Sequence, residues 1–390
     1  MTFIAPSRTW IEVSLDNVLH NYREIQRITN INGKKPRVMC VVKANAYGHG
    51  AAVIAKRLEK EGCDMFGVAA LEEALELRRA GVRADILVLN HIDKARICEA
   101  VENNITLTLF SKDMAECISG SSIKTAKVHV KIDTGLNRVG FKPNEALEAV
   151  QFICTLPNIE IEGIFTHFAS AGAPDATYTK YQKNELLKVF AELESAGIDI
   201  KFKHCANSAA TISYPDMHFD MVRAAIAVLG HYPSEAIDKS RINLKPSMQL
   251  KTQIIRIIDL EPGSPVGYGG TFVTSRKTKL ATIPIGYGDG LSCRLAGKLK
   301  VLVNGQAAPV VGTLCMDQCM VDITDITGDV AVYDEIVIFG EQKGAFISVE
   351  QVAAQMGTVH YELLCLPSRR VPRYYIENGK VIDRVDFILD

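Results

Sequence analysis

The sequence lacks the basic blocks, long apolar runs and signal peptide that are typical of nucleic-acid-binding, membrane-bound and exported proteins. It contains no block of five or more basic residues, and 44 lysines and arginines almost balance 45 aspartates and glutamates. Because nucleic-acid binding depends on clustered positive charge, no nucleic-acid partner is expected. No apolar run approaches the ~18 residues that suggest a membrane helix, and the first ten residues do not resemble a signal peptide. We therefore expect a cytoplasmic protein that does not bind a membrane.

The ten cysteines lack the paired CxxC spacing that is typical of structural metal sites. Cys40 and Cys205 lie within apolar, strand-like runs, which indicates buried, reduced thiols and agrees with a reducing cytoplasm. Cys315 and Cys319 form at most a weak metal-binding pair, because no matching histidine or cysteine pair is nearby. We predict no metal site.

The chain of 390 residues, 47% of them hydrophobic, is long enough for one large and one smaller domain. Between residues 38 and 223, β-branched runs alternate with helical segments such as 51–62 and 71–81, the latter ending at a glycine. Such alternation predicts parallel strands joined by right-handed crossovers. Eight candidate strands predict a closed (β/α)₈ TIM-type barrel. These strands are Val38–Val42, Met65–Ala70, Asp85–Leu89, Ile105–Leu109, Lys127–Ile132, Ile159–Thr166, Lys201–Cys205 and His218–Arg223.

After about residue 240 the pattern changes to strand-like runs separated by glycine, proline and aspartate. The only clear helix is 348–357, with Ser348 as its N-cap. We therefore predict a barrel over residues 1–240 and a β-rich C-terminal domain over 241–390. The early segment TWIEVSL is compatible with a strand in either domain. The strand-like runs are 251–260, 279–286, 300–305, 308–314, 319–324 and 335–340.

Barrel enzymes place their reactive groups at the C-terminal ends of the strands. Five polar residues end or follow predicted strands in this way. Each alone has a bland interpretation as a loop residue, a core histidine or a helix cap, but together they predict an active site. Lys43 is the most informative, because partial desolvation and nearby cations would activate its amine for Schiff-base chemistry. The five residues are Lys43, Arg138, His167, Ser208 and Arg223.

Sequence motifs from residue 39 to 373 resemble those of the alanine racemase family, in the family's order. They are VVKANAYGHG, HVKIDTGLNRVG, THFASA, HCANSAA, MVRAAIAVLG, VGYGGTF, IGYGDGLS, GTLCMDQ and RRVPR. The first motif alone also resembles related decarboxylases and small cofactor-binding proteins, so the ordered set carries the comparison. The resemblance implies a barrel with a β domain, pyridoxal 5'-phosphate as cofactor, and interconversion of L- and D-alanine.

The resemblance also implies how the cofactor is held. Lys43 would carry pyridoxal phosphate, and Arg223 would face its pyridine nitrogen. Because an arginine stays charged, the nitrogen would remain unprotonated, which weakens the ring as an electron sink and disfavours transamination. The groups expected at the phosphate are Tyr47, Ser208, Arg369 and the backbone around Ala225 and Ile226.

Racemisation needs one group to remove a proton and another to deliver one on the opposite face. By resemblance these groups are Lys43 and Tyr268, with His167 beside the tyrosine. In the family, the tyrosine comes from the partner subunit, which implies a homodimer with shared active sites.

The substrate carboxylate would bind Arg138 and the backbone N–H of Met316, and Tyr287 would line the pocket. Family members can carry a carbamylated lysine at the position of Lys131, where it would orient Arg138.

Two positions depart from the family pattern. Cys293 stands where an arginine is usual, and Arg369 stands where a tyrosine is usual. These differences leave open a racemase of broader or shifted specificity, for example for serine, and either a biosynthetic or a catabolic role for D-alanine. A barrel-type decarboxylase and a non-catalytic pyridoxal-phosphate-binding protein are further alternatives. The tyrosine motif and the large second domain argue against both.

Overall fold

The computed structural model describes residues 7–31, 33–121 and 124–389. Residues 1–6, part of the segment considered for a signal peptide, lie outside the described residues. Within this part of the chain, no helix is both long enough and apolar enough to cross a membrane.

Two compact units make up the described chain. The barrel unit comprises residues 17–46 and 50–246, and the β unit comprises the described residues up to 16, residues 47–49 and the chain from 247. The predicted first domain, 1–240, differs from the barrel unit at both ends. Strand β1 (Thr9–Ser14) belongs to the β unit, and the chain leaves the barrel unit only after Pro246.

In the described residues, eight parallel strands close into a barrel, and the last strand pairs with the first. This observation confirms the predicted fold class. The predicted eighth strand began at His218, but the observed one begins at Met221, because Phe219 has a φ of 47° and so lies outside the β region. The strands are β2 (Arg37–Val41), β3 (Met65–Val68), β4 (Asp85–Val88), β5 (Ile105–Leu109), β6 (Ala126–Lys131), β7 (Ile159–Phe165), β8 (Phe202–His204) and β9 (Met221–Ala224).

Helices connect the barrel strands. The predicted helices at 51–62 and 71–81 are confirmed, and Gly81, with a φ of 91°, follows the end of the second. The first of them buries apolar side chains at helical spacing, as a helix packed on one face does. The helices are α1 (Leu15–Thr29), α2 (Lys43–Tyr47), α3 (Ala51–Lys60), α4 (Leu71–Arg79), α5 (Ile97–Glu102), α6 (Lys112–Ser121), α7 (Ala146–Thr155), α8 (Thr177–Ser195) and α9 (Ser208–Ser213).

The β unit is built on one large sheet, in which the described residues supply eleven strands. Strand β1 pairs antiparallel with β10 (Met248–Gln253) and parallel with β20 (Arg373–Glu377), which settles the placement of TWIEVSL. The predicted strand-like runs are confirmed, and the run 251–260 forms parts of two strands. The other strands are β11 (Arg256–Leu260), β12 (Pro265–Val266), β13 (Phe272–Val273), β14 (Thr278–Ile283), β15 (Lys300–Val303), β16 (Gln306–Val311), β17 (Cys319–Asp322), β18 (Glu335–Gln342), β19 (Ala345–Ile347) and β21 (Lys380–Val385). Of these, β12 and β13 form a separate two-stranded sheet.

The predicted C-terminal helix is α10 (Val349–Met356), and Ser348 is its N-cap as expected. The Ser348 hydroxyl accepts a hydrogen bond from the Gln351 N–H at 3.1 Å, and the Gln351 side chain accepts from the Ser348 N–H at 3.0 Å. This reciprocal pair is a capping box. A second short helix, α11 (His360–Cys365), was not predicted, because six residues are too few to show a clear periodicity.

Replacing Ser348 with alanine should loosen the first turn of α10. Loss of such a cap costs about 1 kcal/mol, so amide hydrogen exchange in residues 349–352 should become roughly fivefold faster. Hydrogen–deuterium exchange followed by mass spectrometry measures this rate. Ser275→Ala is the matched control, since Ser275 is exposed and its hydroxyl makes no hydrogen bond within the described chain. Equal exchange in the two variants would contradict the capping role.

Candidate active site

Lys43 lies just beyond the end of β2, half-buried at the C-terminal rim of the barrel. The four residues after it, 44–47, have φ between 50° and 54°, which makes α2 a left-handed turn. Such a conformation costs roughly 1–2 kcal/mol per residue. The Glu73 carboxylate helps to hold it, because its Oε1 accepts a hydrogen bond from the Ala44 N–H at 2.6 Å. Backbone strain is therefore concentrated beside the predicted catalytic lysine.

Arg223, on β9, has its side chain buried among hydrogen-bond acceptors, with 3% of the residue exposed. Its Nη1 donates to Nδ1 of His204 at 2.9 Å. Its Nη2 donates to the carbonyls of Thr166 at 2.8 Å and Cys205 at 3.0 Å, and to Nδ1 of His167 at 3.2 Å. Burial lowers the pKa of Arg223 to about 10, so the guanidinium remains charged at neutral pH. Within the described chain, its Nε–H and second Nη1–H have no acceptor.

His167 is neutral in this environment. Burial, followed by the charges of Arg223 and Lys131, holds its pKa well below the usual value. Since an arginine only donates, the Nδ1 that faces Arg223 must be unprotonated, and the ring proton lies on Nε2. His167 can therefore donate a hydrogen bond from Nε2, but it does not supply a positive charge.

Lys131 ends β6 and is buried, with its Nζ 4.5 Å from the centroid of the Phe165 ring. Burial lowers its pKa well below the usual value, and the charges of Arg223 and Arg138 add to this effect. The amine of Lys131 therefore gives up its proton more readily than an ordinary lysine does, and its neutral form is a nucleophile. Arg138 lies in the loop after β6 and is exposed.

Ser208 and Ala225 are joined directly, because the Ser208 Oγ accepts a hydrogen bond from the Ala225 N–H at 2.8 Å. The bland interpretation of Ser208 as a helix cap is wrong: Asn207 caps α9 through a hydrogen bond from the Ala210 N–H at 3.0 Å. Ile226, beside Ala225, is buried. The structure thus groups three of the predicted phosphate ligands.

Two further predicted phosphate ligands lie in the β unit. Tyr47 is buried and packs edge-on against Tyr361, with ring centroids 6.2 Å apart. Arg369 is exposed and donates from Nη2 to the Phe387 carbonyl at 2.7 Å, so one of its donors is already used. Arg370, which was not singled out from the sequence, donates to Asp317 at 2.6 Å.

Three predicted site residues of the β unit are unusually exposed. The exposed fractions are 74% for Tyr268, 51% for Met316 and 44% for Tyr287. Tyr268 lies in the turn between β12 and β13, where its carbonyl accepts from the Thr313 hydroxyl at 3.2 Å. All three line one groove of about 830 Å³. Large side chains displayed in this way are typical of a surface that another molecule covers.

Sequence reasoning missed the residues that support the site. Asp289 is buried and accepts from Arg8 at 2.6 Å and from the Gly286 N–H at 3.0 Å, which fixes the turn that carries Tyr287. His204 supports Arg223. A histidine within a buried strand was the one available signal, and it became meaningful only when the fold placed it against a guanidinium.

The predicted residues are therefore distributed over both units. The barrel unit holds Lys43, Lys131, Arg138, His167, Ser208, Arg223, Ala225 and Ile226. The β unit holds Tyr47, Tyr268, Tyr287, Met316 and Arg369.

Comparison with known proteins covers almost the entire chain. The family model for the N-terminal domain of alanine racemase matches residues 13–233, and that for the C-terminal domain matches residues 247–375. An alanine racemase of Clostridium novyi (strain NT) is 42% identical over 383 residues, which is 97% of this chain and 98% of the relative.

Solved structures agree. The alanine racemase of Clostridium difficile 630 superposes with a TM-score of 0.94 at 40% identity, covering 99% of this chain and 100% of that one. A complex of the same racemase with cycloserine gives a TM-score of 0.90 at 39% identity, with the same coverage. The chain therefore belongs to the alanine racemase family and is an amino-acid isomerase that interconverts L- and D-alanine.

Proposed function

We propose that this racemase works with pyridoxal 5'-phosphate on Lys43, and that Lys43 and Tyr268 are its two proton-transfer groups. The observation that carries the cofactor assignment is the buried Arg223, two of whose N–H groups have no acceptor within the described chain. Such donors suit an unprotonated ring nitrogen, and they lie in the same unit as the half-buried amine of Lys43.

The donor set fits each functional group of the cofactor. A primary amine at Lys43 suits the aldehyde, and Arg223 suits the pyridine nitrogen. Ser208, Tyr47 and Arg369 offer hydroxyl and guanidinium donors for a phosphate, and the backbone of Ile226 offers an N–H. The Ala225 N–H donates to the Ser208 Oγ, so it would orient that hydroxyl toward the phosphate. When bound, pyridoxal phosphate withdraws electrons from the α-carbon of alanine and so acidifies its hydrogen.

The protein's own task is to move protons at the two faces of that carbon. The Lys43 Nζ acts on one face and the Tyr268 hydroxyl on the other, one removing a proton while the other delivers one. A free tyrosine has a pKa of about 10, so it requires stabilisation to act as a base. A hydrogen bond from the Nε2–H of His167 would stabilise the phenolate, and the neutral state of His167 supports that role.

The carboxylate of alanine would bind the Arg138 guanidinium and the Met316 N–H, with Tyr287 beside it. We further propose that Lys131 is carbamylated. Its lowered pKa supports this modification, because only a neutral amine reacts with carbon dioxide. The resulting negative charge would pair with Arg138 and orient it.

We propose a homodimer in which Tyr268 of the partner subunit completes each site. The exposure of Tyr268 and Met316 in one groove supports this assembly, because side chains that act on a desolvated substrate need to be covered. The balanced charge and the buried thiols Cys40 and Cys205 support a cytoplasmic location.

Borohydride treatment should fix the cofactor on Lys43. The purified protein should be yellow, and peptide mapping after reduction should find the pyridoxyl label on the peptide that contains Lys43. Lys131→Met is the matched control, since it removes another rim lysine and should leave the label in place. Label on any other lysine would refute the assignment.

Replacing Tyr268 with phenylalanine should lower racemisation at least ~100-fold, since general acid–base groups contribute that much. The absorption of the bound cofactor should stay unchanged, because the tyrosine does not carry it. Tyr333→Phe is the control, since Tyr333 is also 74% exposed but does not line the groove. Near-normal activity in Tyr268→Phe would mean that another residue is the second base.

Mixing two inactive variants tests the shared site. Lys43→Ala and Tyr268→Phe should recover activity after reversible dissociation, because a mixed dimer carries both lesions in one site and none in the other. Random exchange makes half of the dimers mixed, each with one intact site, so activity should reach roughly a quarter of wild type. Demonstrated exchange without recovery would show that each site lies within one chain.

A further inference from the structure

The barrel interior contains a chain of polar side chains that begins at Arg223 and leads away from the proposed cofactor site. The Arg223 Nη1 lies 2.9 Å from Nδ1 of His204. The Nε2 of His204 lies 2.8 Å from Nδ1 of His129. The Nε2 of His129 faces the Glu162 carboxylate at 3.8 Å. Both histidines are fully buried, and Glu162 is 2% exposed.

The order of donors and acceptors along this row of polar side chains is fixed from its Arg223 end. Arg223 can only donate, so Nδ1 of His204 must accept and the ring proton of His204 must lie on Nε2. That proton is donated to Nδ1 of His129, which places the proton of His129 on Nε2, facing an acceptor carboxylate. Burial lowers the pKa of both rings, so each carries one proton at neutral pH.

The last link leaves two polar atoms facing each other. Within the described chain, His129 Nε2 and Glu162 Oε2 are buried and make no hydrogen bond. The other carboxylate oxygen of Glu162 is paired with Lys127 at 3.2 Å and Lys201 at 3.1 Å. Glu162 is therefore an anchored, ionised group that favours a proton on the side of His129 that it faces.

The backbone of β6 and β7 makes room for this row of polar side chains. The register between β6 and β7 shifts after Val128, so that His129 lies opposite Gly163 and Glu162 is the extra residue of a bulge. A Cβ at Gly163 would lie 2.5 Å from Nδ1 of His129. Only glycine leaves room for the imidazole, while the bulge lets Glu162 face it. The polar chain is thus accommodated by the strand geometry.

We propose that His129 and Glu162 are positioning residues of the racemase, which hold His204 in one tautomer and thereby fix the guanidinium of Arg223. This inference rests on the proposed function, in which Arg223 faces the pyridine nitrogen. A His204 ring with its proton on Nδ1 would point a donor at a donor, and Arg223 would lose the contact at Nη1. Neither His129 nor Glu162 is assigned any contact with substrate or cofactor.

NMR of the histidine ring nitrogens, on holoenzyme with isotope-labelled histidine at pH 7, tests the proposed tautomers of the unsubstituted protein. His204 and His129 should both appear as neutral rings with the proton on Nε2, assigned by the signals lost in His204→Asn and His129→Asn. A proton on Nδ1 of either ring, or a doubly protonated ring, would overturn the proposal. The readout is independent of racemisation, so it stands even if no cofactor is found on Lys43.

A pair of nearly isosteric variants tests the functional consequence. The Oδ1 of His129→Asn can still accept from His204, whereas His129→Leu offers no acceptor. The leucine variant should lower kcat roughly tenfold, with KM for alanine within about twofold, because the proposed carboxylate ligands are untouched. The asparagine variant should retain most of the activity and the His204 tautomer. Equal activity of the two variants, or an equal loss of activity with an unchanged His204 tautomer, would show that this row of polar side chains does not position Arg223.

Discussion

A buried positive charge at Arg223 is the constraint on which the barrel rim depends. A guanidinium that is removed from water must be surrounded by acceptors, or its burial costs several kcal/mol. The carbonyls of Thr166 and Cys205 supply two acceptors, and His204 and His167 supply ring nitrogens. A ring nitrogen that accepts a hydrogen bond carries no proton, so the arginine determines which nitrogen of each ring is unprotonated. Burial and the charge of Arg223 together keep both histidines neutral.

The same charge also acts on the titratable groups around it. Burial lowers the pKa of Lys131 and of His167, and in both cases the charge of Arg223 is the next largest cause. The rim therefore combines a neutral histidine with positive charge, which suits an anionic cofactor and an amino-acid carboxylate. A net charge of -1 for the whole chain shows that this field is local.

The sequence predicted what depends on local pattern. Eight barrel strands, the cap at Ser348 and the polar residues at the strand ends all follow from short stretches of chain. What it missed depends on contacts between distant segments: the pairing of β1 with β10 and β20, and the contact of Glu73 with Ala44. The sequence also did not predict two unusual backbone conformations. They are the left-handed turn after Lys43 and the positive φ of Phe219, because of which β9 begins later than predicted. Single residues suggested the chemistry, but only the folded barrel showed what holds them.

The interior of this barrel also departs from the aliphatic layers that usually fill such folds. Met39, Met65 and Met221 form part of a conventional apolar cluster, yet His129, His204 and Glu162 are buried in the same unit. A partly satisfied polar network is less stable than well-packed apolar side chains, so stability alone does not account for it. Gly163 and the β-bulge before it add further local cost. A network that costs stability, and that ends on the guanidinium facing the proposed cofactor ring, is best explained by what it does to that guanidinium.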